Sequence, residues 1–344
     1  MTNLIIKWYR SNKRDLPWRK TKNPYCIWVS EIILQQTQIK TGIKYYKKFL
    51  KKFPNISSLA NSKEEDVLKI WQGLGYYNRA INMLYTAKTI AQNYNNNFPL
   101  CYDELIKLKG IGEYTAAAIS SICYDEKKAV VDGNVYRFLS RYYNIDTPIN
   151  TSLGKRQFQN IADKLIPKTG CGEYNQAIMD FGSLNCKKNN PTCITCPIKR
   201  TCKAFKLGNV QQLPVKKPKK NIKTRYLNYL FINQKKQCII QQRNSKDIWN
   251  KLYELPLIET DCKITFNQLK SHIITKQFKI LNINFQCQFN HILSHQRLII
   301  SFWDIKINNI NAKKNSKKIL IKDINKYPLP KPIEKYFHKE HLII

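Results

Sequence analysis

The sequence predicts a mainly α N-terminal domain, a basic tether and a smaller α+β C-terminal domain. Three observations carry this. From residue 4 to about residue 205, apolar residues recur at spacings of three and four, as in Val67-Leu68-Ile70-Trp71 and Leu84-Ala87-Ile90-Ala91, with Gly or Pro between segments. KLGNVQQLPVKKPKKNIK, residues 206–223, combines two prolines, a glycine and a basic run, the composition of a linker. Beyond it, RYLNYLFI (225–232), QCIIQQR (237–243) and RLIISFWDIKI (297–307) are β-branched and aromatic with period-two stretches, and read as strands. The expected divisions are therefore 1–205, 206–224 and 225–344.

At 344 residues the chain can bury two cores. Lys and Arg outnumber Asp and Glu by 59 to 23, giving a formal net charge of +36. Such an excess points to a polyanionic partner, because each phosphate neutralised by a cation releases condensed counterions. Heavy use of Lys, Asn and Ile throughout, as in a chain coded by AT-rich DNA, is a second, compositional source of the same excess. No run of 18 or more apolar residues occurs, and MTNLIIKWYRSNKRD turns charged too soon for a secretory segment. The expected compartment is cytoplasmic, at the nucleoid, and the 11 cysteines are expected to be mostly thiols.

The first chemical signal is WVSEIILQQTQ, residues 28–38, where Glu31 stands between Val29 and Ile32-Ile33-Leu34. Apolar neighbours raise a carboxyl pKa, so Glu31 is expected to stay protonated near neutrality. In AVVDGNVYRFL, residues 129–139, Asp132 precedes a helical run. It reads as an N-cap, and a capping Asp that faces a cleft is kept ionised by helix-end amides. An acid and an anion together are the pair needed to cleave a glycosidic bond through an oxocarbenium-like state. In LIKLKGIGEYTAAAI, residues 105–119, Gly110-Ile111-Gly112 separates two helical stretches. The turn leaves backbone N–H groups free at a helix N-terminus, a grip for phosphate without sequence preference.

Cys186-x6-Cys193-x2-Cys196-x5-Cys202 places four thiols within 17 residues. All-thiolate ligation suits tetrahedral zinc or an iron–sulfur cluster; the x6 arm and single tight pair are less like the paired short spacings of zinc sites. Lys187, Lys188, Lys199, Arg200 and Lys203 make the same loop cationic. The other seven cysteines lack ligand spacing and read as small buried residues.

Taken together, LKGIGEYTAAAI, VDGNV, the cysteine loop and LQQTQ resemble the helix-hairpin-helix DNA glycosylases of the endonuclease III superfamily. LPWRKTKNPYCIWVSEIILQQTQ, GLGYYNRA (73–80) and YNQAIMDFGSLNC (174–186) are similar to its adenine DNA glycosylase (MutY-type) branch. The likeness is continuous over about residues 4–204 and weaker over 225–340. It implies a helix-hairpin-helix catalytic domain with a [4Fe–4S] cluster on Cys186, Cys193, Cys196 and Cys202. It also implies base excision repair of adenine mispaired with 8-oxoguanine or guanine in duplex DNA; one duplex site needs only a monomer. Glu31 would protonate the flipped adenine and Asp132 would stabilise the sugar cation, with Tyr114 and Asn134 in support; the base must leave the stack to be reached. Gln36, Thr37, Leu74 and Tyr76 would fill the vacated space and touch the orphaned base. Arg14, Leu16, Trp18 and Arg19 would belong to the adenine pocket, and Lys109, Gly110 and Gly112 to the phosphate grip.

Bifunctional relatives carry a Schiff-base lysine where this chain has Tyr114, so the resemblance implies a monofunctional enzyme. Lys109 stands where the family has proline and reads as an extra phosphate contact. A bifunctional pyrimidine-lesion glycosylase is disfavoured by Tyr114, and a non-catalytic iron–sulfur protein by the retention of Glu31 and Asp132. The C-terminal part resembles a Nudix-like 8-oxoguanine reader: QQRNSKDIWNKLYELP (241–256) matches one stretch, and FNHILSHQRL (289–298) places Ser294 and His295 at the lesion, with Leu293 in place of phenylalanine. No glutamate-rich metal box occurs in 225–344, which argues against phosphohydrolase activity.

Overall fold

Helix boundaries follow from local chemistry. The Asn23 side chain accepts hydrogen bonds from the amides of Tyr25 and Cys26, and Pro24 occupies the first position of the helix Pro24–Leu34. That helix is apolar nearly all round, with Tyr25 and every residue from Ile27 to Ile33 buried, so it runs through a core rather than over it. In the computed structural model, which describes residues 1–218, 222–244, 247–272, 279–308 and 316–340, the helices in chain order are α1 (Thr2–Asn12), α2 (Pro24–Leu34), α3 (Ile39–Lys52), α4 (Ile56–Ala60), α5 (Glu64–Trp71), α6 (Asn78–Asn93), α7 (Tyr102–Leu105), α8 (Glu113–Tyr124), α9 (Gly133–Tyr143), α10 (Ser152–Leu165), α11 (Cys171–Asp180) and α12 (Lys203–Lys206).

Two compact units emerge, Met1–Asn61 with Asn82–Lys219 and Ser62–Ile81 with Lys220–Ile344. In the first, α2 packs against α3 and α8, and α11 against α1, α8 and α9. Ile5, Tyr9, Val135, Phe138, Leu139, Phe158, Tyr174 and Phe181 form one apolar cluster between these helices. Removing that area from water is the main term holding the helices in place. The segment that reads as a tether is tied down over its first half. Val210 and Leu213 carbonyls accept from Arg141 Nε at 2.9 and 3.1 Å, and the Lys217 amide donates to Asn150 Oδ1 at 2.8 Å. Composition registers solubility, not these bonds. Residues 219–221 of that segment lie outside the described residues, as do 245 and 246 of the 241–256 stretch.

The second unit holds β1 (Lys223–Gln234), β2 (Gln237–Gln242), β3 (Tyr253–Glu254), β4 (Leu257–Thr260), α13 (Phe266–Ser271), β5 (Ile280–Ile292), β6 (Gln296–Ile307), β7 (Ser316–Leu320) and α14 (Lys331–Lys339). The strand order is β3-β2-β1-β6-β5, with β4 on β1 and β7 on β2. β1 and β6 run parallel and the other pairs antiparallel, a mixed sheet. Leu230, Ile232, Ile258, Trp303 and Ile305 build an apolar cluster with Leu269 of α13. On α14, Tyr336 stacks on Phe302 at 4.3 Å between centroids and Phe337 meets Phe231 edge-on at 5.5 Å. Of the seven cysteines read as buried, Cys171, Cys238 and Cys287 are; Cys26 and Cys123 are half-buried, and Cys101 and Cys262 are exposed. A lone cysteine without periodic apolar neighbours carries no burial signal.

Candidate active site

One cleft of about 450 Å³ in the first unit is lined by Arg14, Leu16, Trp18, Arg19, Glu31, Gln35, Gln36, Thr37, Tyr114, Asp132, Asn134 and Gln176. Residues quoted from four separated motifs therefore meet. Glu31 reaches it from the last turns of α2, only 7% exposed. Its Oε2 accepts a hydrogen bond from Tyr114 Oη at 2.8 Å. Burial pushes the Glu31 carboxyl up to about 7; the Tyr114 bond pulls down and the nearby Asp132 charge pushes further up.

Asp132 caps α9. Its Oδ1 accepts from the amides of Asn134 at 2.9 Å and Val135 at 2.8 Å, and its Oδ2 from Asn134 Nδ2 at 2.8 Å. Burial nevertheless raises its carboxyl above the ordinary value, against the pull of those bonds and of Arg137. Sequence revealed the cap but not how much of the side chain is taken out of water.

The floor depends on a residue that sequence reading missed. Asp180, at the end of α11, has a fully buried side chain. Arg19 Nη1 and Nη2 donate to its two oxygens at 2.5 and 2.7 Å, and Arg14 Nε donates at 3.1 Å. Burial alone would raise Asp180, yet hydrogen bonds from Arg19 and Arg14 bring it below the usual carboxylate range. Leu16 and Trp18, buried on the short turn between the two arginines, are held in the wall by this clamp. An acid following Ile178-Met179 was the available signal. Gln176, also missed, accepts from Tyr9 Oη at 2.8 Å. Gln36 has a left-handed φ of 63° and is exposed, while Thr37 is half-buried.

Lys109, Gly110 and Gly112 lie outside the cleft lining. Gly110 has φ +81°, and a Cβ there would sit 2.7 Å from Asn82 Cβ, so the turn requires glycine. The Lys109 carbonyl accepts from Thr86 Oγ1, and its Nζ lies 4.5 Å from the Tyr85 ring centroid. Gly112 caps α8, whose second residue is Tyr114.

Cys186, Cys193, Cys196 and Cys202 line a second pocket of the same unit with Phe138, Arg141 and Phe181. Arg141, 2% exposed and unforeseen, donates from Nη1 to the Lys187 carbonyl at 2.7 Å and to Cys186 Sγ at 3.4 Å. Arg137 Nε donates to the Cys186 carbonyl at 2.8 Å and its Nη2 to Asn134 Oδ1 at 2.9 Å. Among the described residues no three His, Cys, Asp or Glu side chains gather as ligands of one metal ion.

Leu74, Tyr76, Ser294 and His295 belong to the second unit. Ser294 and His295 are exposed at the turn between β5 and β6, closed by the Leu293 amide on the Gln296 carbonyl at 2.8 Å. Tyr76, 47% exposed, hydrogen-bonds through Oη to Ser294 Oγ.

Residues 29–167 match the family model described as HhH-GPD superfamily base excision DNA repair protein, and residues 228–339 match that of the NUDIX domain. Over 97% of its length the chain is 40% identical to an adenine DNA glycosylase of Buchnera aphidicola subsp. Baizongia pistaciae, covering 95% of it. It is 36% identical to the Homo sapiens adenine DNA glycosylase over 61% of this chain and 40% of that protein. A solved thermostable thymine-DNA glycosylase superposes with a TM-score of 0.56 and 27% identity, over 60% of this chain and 95% of that one. Chemistry, architecture and similarity agree: the chain belongs to the adenine DNA glycosylase family, enzymes of the HhH-GPD base-excision-repair superfamily that hydrolyse N-glycosyl bonds, with a NUDIX-type domain after the helical one.

Proposed function

We propose that this glycosylase removes adenine paired with 8-oxoguanine or guanine in duplex DNA, by acid-assisted hydrolysis and without strand cleavage. The observation that carries the reading is a buried Glu31 with a pKa near 7, sharing one cleft with Asp132. Glu31 gives its proton to the extruded base, so that the C–N bond breaks to a neutral leaving group. Asp132, hydrogen-bonded by three donors, faces the sugar cation as an anion, and water adds to complete the exchange. Arg14, Leu16, Trp18 and Arg19 shape the adenine pocket. Gln36, Thr37, Leu74 and Tyr76 fill the vacated space, and Ser294 and His295 read the orphaned base. Lys109, Gly110 and Gly112 hold backbone phosphate.

Among the described residues no lysine lines the cleft, and Lys109 is engaged with Tyr85, which favours the monofunctional reading. The four cysteines, lining one pocket with a buried guanidinium on Cys186 Sγ, suit an anionic thiolate-bound group, and we assign them to a [4Fe–4S] cluster. Such a group would tie the cationic loop to α9 when bound.

The test is incubation with duplexes carrying adenine opposite 8-oxoguanine or guanine, followed by alkali. Breakage only after alkali is expected; breakage without it makes the enzyme a lyase, and tight binding without breakage removes catalysis altogether. Broad visible absorbance of the fresh protein, lost on chelation or oxidation, checks the cluster.

A further inference from the structure

We infer that Arg79 is a positioning residue that preforms the turn 73–77 carrying Leu74 and Tyr76; this rests on the reading that those two residues engage the DNA at the lesion. The turn is an unfavourable one for a chain to hold unaided. Gly73 and Gly75 have φ of 98° and 74°, and Tyr76 follows at 49°, a left-handed backbone that a tyrosine rarely adopts. Three donors hold it from within the second unit. Arg79 Nη2 donates to the Gly75 carbonyl at 3.1 Å and reaches the Leu74 carbonyl at 3.5 Å. Trp71 Nε1 donates to the same Gly75 carbonyl at 3.1 Å, and the Gly73 amide donates to Tyr77 Oη at 3.2 Å.

The guanidinium also lies against both aromatic rings that flank the turn, 5.1 Å from the Trp71 centroid and 5.8 Å from that of Tyr76. Burial lowers the Arg79 pKa only to about 10, so it remains a cation at neutral pH. One side chain thus fixes the backbone below Tyr76 and the ring plane of Tyr76 itself. Lysine can supply the charge but neither the planar fork nor ring stacking over two faces. The contacts of Arg79 named above are with the backbone and rings of the turn, so its effect should fall on recognition of the lesion pair and not on the bond-breaking step.

The experiment compares wild type with Arg79→Lys, Trp71→Phe and Tyr76→Ala. It measures Kd for duplexes with adenine opposite 8-oxoguanine or guanine, the single-turnover rate at saturating enzyme, and the fluorescence of 2-aminopurine placed beside the lesion. For Arg79→Lys we expect Kd for the 8-oxoguanine duplex to rise by about tenfold and the unstacking signal to fall, with the saturated rate within about twofold. Trp71→Phe, which removes the other donor to the Gly75 carbonyl, gives the same pattern and decides the matter if Arg79→Lys does not fold. An unchanged Kd and fluorescence in both, beside a loss in Tyr76→Ala, overturns the assignment. Equal loss of binding and saturated rate overturns it too, as a general structural defect. No loss in Tyr76→Ala defeats the underlying reading of the turn.

Discussion

Replacing Glu31 with Gln separates two consequences of one buried carboxyl. The group is 7% exposed and its pKa is raised from 4.5 to about 7, a difference worth on the order of 3 kcal/mol at about 1.4 kcal/mol per unit. Below pH 4.5 the carboxyl is protonated whether the chain is folded or not, and the term vanishes. Between pH 4.5 and 7 the folded state holds a proton that the unfolded chain has released, so stability falls as pH rises; above 7 the loss is complete. Gln fills the same space and never ionises. The variant should therefore match wild type near pH 4.5 and exceed it by roughly 3 kcal/mol at pH 8, about 6–12 °C in the melting temperature of the helical unit. Excision should meanwhile vanish, while wild-type single-turnover rates fall about tenfold per unit above pH 7, as the acid form is depleted. Denaturant titrations at several pH values and quenched excision assays supply both readings. A stability difference that is flat with pH would falsify the buried-acid account, and surviving excision would remove Glu31 from its role.

Tyr114→Phe removes the hydrogen bond that holds the Glu31 carboxyl down, so the alkaline limb of the excision profile should move to higher pH; a move the other way contradicts the geometry. Asp180→Asn leaves Arg14 and Arg19 against a neutral amide in a buried site, which should cost about 3–5 kcal/mol in denaturant unfolding, and a change below about 1 kcal/mol would mean that the clamp holds nothing. Ser294→Ala with His295→Ala should reduce the preference for 8-oxoguanine over guanine more than the saturated rate; an unaltered preference puts the reader of that base elsewhere.

What could be read from sequence was what lies close in sequence. Glu31 is conspicuous because its apolar neighbours are adjacent, Asp132 because an N-cap is a local motif, and the four cysteines because their spacing spans one loop. Asp180 was invisible because its partners lie 161 and 166 residues away, and nothing near it announces a pair of arginines. Arg141 grips the cysteine loop across 45 residues and a segment whose prolines and lysines suggest a free tether. Strand propensity marked β1, β2 and β6, but the parallel pairing of β1 with β6 follows from packing of the whole sheet. The grouping of residues 62–81 with the C-terminal unit is likewise a matter of distant contacts, such as Lys69 Nζ on the Tyr327 carbonyl at 3.1 Å.

Burial raises both carboxyls of the cleft, so burial by itself does not tell acid from anion. The difference lies in the donors each receives. Glu31 takes one hydrogen bond, from a phenol, whereas Asp132 takes two from the start of α9 and one from Asn134, with Arg137 close behind. Each donor to a charged oxygen favours the ionised form, and the proposed mechanism accordingly keeps the anion on Asp132 and the proton on Glu31. Under the proposed mechanism that asymmetry grows during reaction. As positive charge develops on the sugar it attracts the anion already fixed at Asp132, while the departing base draws the proton from Glu31. The helix cap thus holds the charge in place before the bond breaks, and little reorganisation remains for the transition state to impose.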